Sequence, residues 1–249
     1  MDENTLSELN DAKTEFMILG APKDNNLVTG WTVTVGENEI LKSQSARNIG
    51  AYVNFTLEMK TQINNIMRSC YHQLRGIAKI RKYVSHTSVI NLCHAFIASR
   101  LDSLNSLLSK IPSCQLNKVQ LVQNSTVRLI LKLKKRIHIT PALISLHWLP
   151  IPERIQYKIL LLAYKSIKNM RSHYLAAMLF PYQPSRALRS TSQYLLVEIK
   201  TSRKHGRRAF AACGQALCSR LPLFIRKSGT LELLKSNLKT FLFKSAFEL

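Results

Sequence analysis

The sequence predicts a mainly α protein: a helical bundle preceded by a small α+β segment. Apolar residues recur at helical spacing from Glu58 onward, and strand-like alternation is confined to the residues before it. Charge divides at nearly the same place. Residues 1–60 hold five basic and nine acidic side chains, a balance of −4, whereas residues 61–249 hold thirty-one and five, a balance of +26. The chain is therefore read in three parts: 1–57 with short strands, 58–180 as the helical bundle, and 181–249 as a basic C-terminal helical region.

Within the first part, Glu15 to Leu19 and Asn48 to Phe55 read as strands, as does Trp31 to Val35 with its Trp-Thr-Val-Thr-Val alternation. From Glu58, Ile63, Met67, Cys70, Leu74 and Ile77 mark the inner face of a helix. Arg68, Arg75, Lys79 and Lys82 repeat at helical spacing about 140° round from it. The next helix, about Thr87 to Leu108, is almost wholly apolar apart from Arg100 and Asp102, and is expected to be central. A third spans about Gln115 to Leu133 and runs into the basic cluster Lys132, Lys134, Lys135 and Arg136.

Thr140-Pro141 reads as a helix start, with a capping hydroxyl and proline in the first turn. The uncharged segment Pro141 to Leu146 is expected to be buried. His147-Trp148-Leu149-Pro150 ends it, and Pro152-Glu153 opens a longer helix with an acid against the positive end of its dipole. In that helix Ile155, Ile159 and Leu162 face inward, while Arg154, Lys158, Lys165 and Lys168 form a second basic stripe. Trp148 is expected to be a core anchor. Thr230 is placed to cap a last helix with Leu231, Leu234, Leu238 and Phe241 inside. Pro181 to Ser190 and Ser202 to Gly206 read as exposed loops.

A formal charge of +22 calls for a polyanionic partner, and nucleic acid is the usual one. The longest apolar runs fall far short of the roughly 20 residues of a membrane span. The start, MDENTLSELN, is too acidic and polar for a signal peptide. Five cysteines, odd in number and without CxxC spacing, read as reduced thiols of an intracellular protein, nuclear or cytoplasmic. Cys70-x-His72 and Cys93-His94 point apart on their helices, which argues against zinc. No GxxxxGK[ST], HExxH or GxSxG string is present, so NTPase, metalloprotease and hydrolase readings have no support.

The string His138 to Lys168, HITPALISLHWLPIPERIQYKILLLAYKSIK, resembles the region downstream of the polymerase site in reverse transcriptases of LINE-type, Jockey-like (non-LTR) retrotransposons. The likeness continues in family order through Leu9-Asn10 with Lys13-Thr14-Glu15, ARNIGAY at Ala46 to Tyr52, and Ser99-Arg100-Leu101-Asp102. Further on it takes in Pro184 to Ser190, Arg208-Ala209-Phe210, Leu221-Pro222 and Leu238 to Phe243. Two departures stand out: Cys218 replaces a usual tryptophan and Arg207 a usual acid. The resemblance implies that residues 1–57 are the edge of a polymerase palm, leaving an unpaired sheet edge. It implies that the following helices are a thumb-like bundle that grips a template-primer duplex.

The family's chemistry needs magnesium held by carboxylates, including adjacent aspartates in an (F/Y)xDD turn that would lie before Met1. The four aspartates here, Asp2, Asp11, Asp24 and Asp102, are never neighbours. Lys13 falls at the family's lysine after the active site, and its possible role as proton donor is empty without the metal. The expectation is a catalytically inactive fragment, without a cofactor of its own, that binds RNA or DNA with little sequence preference. The alternative is one part of an active enzyme whose fingers and palm lie upstream of Met1 or on another chain.

The candidate phosphate contacts are the stripes Arg68, Arg75, Lys79, Lys82 and Arg154, Lys158, Lys165, Lys168. Lys132 to Arg136 could be a phosphate clamp, a nuclear-import element, or cations at a helix C-terminus. Arg186, Arg189, Arg203, Lys204, Arg207 and Arg208 surround loops, where Tyr182 and Tyr194 offer faces for base stacking or for simple packing.

Overall fold

Short hairpins come first along the chain and helices follow, in a computed structural model that describes residues 14–20, 30–36, 38–168, 170, 173–184, 186, 193–201 and 205–248. Two units separate, Met1–Asn65 and Ile66–Leu249.

In the first unit β1 (Thr32–Val35) pairs antiparallel with β2 (Asn38–Leu41), and β3 (Ser45–Asn48) with β4 (Ala51–Asn54). These are two separate two-stranded sheets. The β3–β4 turn places Ile49 and Gly50 at φ +47° and +82°, the two positive φ values of a tight hairpin turn. The segment expected to form a strand from Glu15 contributes one bridge, Phe16 to Lys42, and Asn48 belongs to β3 and not to the strand expected from it. The Gln62 side chain is buried and accepts from the Tyr52 amide at 2.9 Å, tying β4 to the first turn of the helix that follows.

That helix, α1 (Lys60–Ile80), crosses the boundary between the units. Ile63, Cys70, Leu74 and Ile77 are buried as its periodicity predicts, Ile66 joins them, and Met67 is half-buried. Ser85 caps α2 (His86–Cys93) by accepting from the Ser88 amide. The helix continues through a π turn, His94–Ala98, into α3 (Ser99–Asp102). It is therefore shorter than expected: Leu104, at φ +54°, breaks it before the 3₁₀ turn Asn105–Leu108. Only one side is central, since Val89, Cys93 and Ile97 are fully buried while Phe96 and Leu107 are exposed.

Helix α4 (Ser113–Leu131) ends where Lys132 adopts a left-handed conformation. Its terminal carbonyls are capped from the turn after α1, because the Arg81 guanidinium donates to Leu129 O and Ile130 O, both at 2.7 Å. In α5 (Thr140–Ser145) Thr140 is the first helical residue and Ile139 precedes it without a side-chain cap, so the expected capping hydroxyl is not one. Pro141 does lie in the first turn, and Ala142 and Leu143 are buried, but Pro141 and Ser145 face out. His147 turns the chain at φ +51°, burying Trp148 and Leu149 as core anchors.

Helix α6 (Ile151–Ile167) opens at that corner and packs against α4, α8 and α10. Two glutamines of α4 hold its start. Gln123, fully buried, donates to Leu149 O at 2.8 Å, and Gln120 accepts from the Ile151 amide at 2.8 Å. Beyond the short α7 (His173–Ala176) come α8 (Phe210–Arg220), α9 (Leu223–Arg226) and α10 (Leu231–Phe247). Thr230 caps α10 by accepting from the Leu233 amide. Leu160 and Tyr164 of α6 form one core cluster with Leu221, Ile225, Leu234, Leu238 and Leu242. The fold is thus mainly α, with two small hairpins. No helix among the described residues is long and apolar enough to cross a membrane.

Candidate nucleic-acid interface

Arg68, Arg75, Lys79 and Lys82 are all exposed along α1 and the turn after it. From Arg68 to Lys79 the rise is about 16 Å at 1.5 Å per residue, which matches a run of several phosphates. The stripe ends at a depression of about 450 Å³ lined by Arg81, Lys82, His86 and Lys132. The end of α1, the start of α2 and the end of α4 therefore meet, and the first stripe joins the basic cluster. Lys132 lines it, Lys134, Lys135 and Arg136 are exposed just beyond in the chain, and no acid among the described residues lines the depression. Arg81 and His86 were not among the residues singled out from sequence. Nothing local marks Arg81, because the helix end it reaches lies 48 residues on and is brought near only by tertiary packing.

The second stripe divides. Lys158 and Lys168 are exposed and Lys165 half-buried, with the Lys168 ammonium 6.0 Å from the Tyr164 ring centre. Arg154 does not belong with them. Its guanidinium lies 2.8 Å from an Asp102 carboxylate oxygen, donates to Leu149 O at 3.0 Å and stacks 5.5 Å over Trp148. With its side chain only 15% exposed, it holds the corner together and does not face solvent.

Arg208 is likewise bound inward. It donates to Leu107 O at 3.0 Å, and burial pulls its pKa below the usual arginine value. Arg207 is exposed and reaches Thr201 O at 3.4 Å, and Arg186 is exposed. Lys13, Arg189, Arg203 and Lys204 lie outside the described residues. Tyr182 and Tyr194 are exposed.

The buried thiols are poor nucleophiles and poor ligands. Burial pushes Cys70 and Cys93 up to about 11 and Cys218 up to about 12. No three His, Cys, Asp or Glu side chains gather as a metal site among the described residues. In comparison with known proteins, no family model matches the chain, and no curated protein or solved structure matches it significantly.

Proposed function

We propose that this chain is the thumb-like part of a LINE-type reverse transcriptase, without polymerase chemistry of its own, and that it binds RNA or DNA through the phosphate backbone. The single observation that supports this best is the meeting of the α1 stripe with the Lys132–Arg136 cluster around a depression with no lining acid. Charge gathered in that way repels itself and raises the cost of folding, and a polyanion relieves it. Lysine and arginine on phosphates position a protein without reading bases, so sequence preference should be slight.

Duplex DNA binding should weaken with salt at a log–log slope of roughly −4 or steeper, since each neutralised phosphate contributes about −0.9. Changing Lys79, Lys82, Lys132, Lys134 and Lys135 together to Gln should shallow that slope by several units while leaving the melting temperature nearly unchanged. An unaltered slope would reduce the region to a solvated surface. The purified chain should extend no primer on an RNA template with magnesium or manganese, and incorporation above a buffer blank would overturn the inactive assignment.

A further inference from the structure

A second cleft opens between the Trp148 corner, the 3₁₀ turn after α3, and helices α6 and α10. Its volume is about 550 Å³, within the range of small-molecule sites. We propose that it binds a phosphorylated nucleoside, either a free nucleotide or the phosphorylated end of a strand.

Charge supplies the first argument. Lys158 of α6 and Lys239 of α10 both line the cleft. The sole acid in its wall, Asp102, is already taken by Arg154. Among the described residues neither lysine makes an ion pair, so the cleft wall carries two uncompensated cationic side chains, a site for an anion.

The second argument comes from Asn105, in the same wall. It is only 3% exposed, yet its side-chain oxygen has no hydrogen-bond partner among the described residues. A buried polar atom left unmade carries its full desolvation cost, and native structures rarely leave one so. A carboxamide oxygen accepts from an N–H or O–H. A bare phosphate dianion would satisfy the lysines and not the amide, and an apolar ligand would satisfy neither. The occupant must join an anion to a hydrogen-bond donor.

The remaining wall is ring-rich, with His94, His147 and Tyr157 beside the apolar Leu146, Leu149 and Leu161. That favours a flat base with its sugar hydroxyls over a simple sugar phosphate. Trp148 is no stacking surface here, because Arg154 covers its face and His94 meets it edge-on at 5.3 Å.

Calorimetric titration of the full chain with adenosine 5′-monophosphate at elevated salt tests this. One site per chain is expected. Lys158→Gln with Lys239→Gln should weaken it on the order of tenfold or more, whereas Lys118→Gln, on the exposed side of α4, should not. Both cleft lysines can be changed without disturbing the core. Asn105→Ala should weaken the nucleotide and leave inorganic phosphate, the weaker ligand throughout, unaffected. A 5′-phosphorylated trinucleotide binding better than the nucleotide would assign the strand end; the reverse order would assign the free nucleotide. No nucleotide binding, binding indifferent to the double lysine change, or inorganic phosphate binding as tightly as the nucleotide would each overturn the proposal. The cleft and the α1–α4 depression share no lining residue, so dependence on Lys158 and Lys239 lets this proposal and the backbone-binding one fail separately.

Discussion

Arg154 meets four groups at once: both Asp102 carboxylate oxygens, the Leu149 carbonyl and the face of Trp148. Its removal leaves Asp102 without its cation, while Leu149 O keeps a donor from Gln123. Asp102 is 46% exposed and can regain water, so the loss should fall below that of breaking a fully buried pair. Arg154→Gln is expected to cost roughly 1–3 kcal/mol in urea unfolding and to leave the salt slope of duplex binding unchanged. Substituting the α1–α4 lysines should do the opposite. The two outcomes together separate an arginine that holds the fold from lysines that meet a partner. The sequence offered no means of making that separation: Arg154 falls at stripe spacing with Lys158, and its acid lies 52 residues away.

The helices carry their thiols inward. Cys70 on α1, Cys93 on α2 and Cys213 on α8 are buried, Cys218 is partly so, and Cys114 at the start of α4 is exposed. At pH 7.5 a disulfide reagent should therefore react quickly with about one thiol per chain, and with all five only after unfolding. Four fast thiols would mean that the helical faces are assigned wrongly. The raised values also fix a direction. Unfolded thiols ionise near pH 8.5, while Cys70 and Cys93 hold their protons to about 11. The folded state then binds more protons than the unfolded one, so stability should fall as pH rises through that window. These faces were legible because apolar residues at 3.6-residue spacing are a strong local signal. The strands β2 and β3 were not, since Asn-Glu-Ile-Leu and Ser-Ala-Arg-Asn carry little strand propensity and owe their form to hairpin partners. The cleft was hidden for another reason: Asn105, Lys158 and Lys239 come together only through tertiary packing.

At the scale of the molecule, the two units differ in what can hold them. A two-stranded hairpin is marginal by itself in water, and among the described residues each strand of the first unit pairs with a single other strand. Helices α4, α8 and α10 each pack against α6, and the buried Gln123 of α4 ties the two helices at the start of α6. Amide hydrogen exchange should therefore be fast in β1 to β4 and slow across α4 and α6. Equal protection in both would require stabilisation of the hairpins beyond their own ladders. The strongly basic charge falls on the unit that can bear it, because a well-packed helical core tolerates surface repulsion better than isolated hairpins do.

The π turn at His94–Ala98 is in effect a one-residue insertion carried inside a helix. Everything after it is rotated by about 100° relative to an uninterrupted α-helix. Asp102 reaches Arg154 in that rotated register, and Asn105 then follows into the cleft wall. Deleting any one residue of the turn would restore ordinary helical bonding and swing the carboxylate away from its guanidinium. The helix would look more regular, and the corner it supports would lose its anchor. Chain length in this segment is therefore constrained more tightly than residue identity, and a one-residue gap there would be costlier than most substitutions.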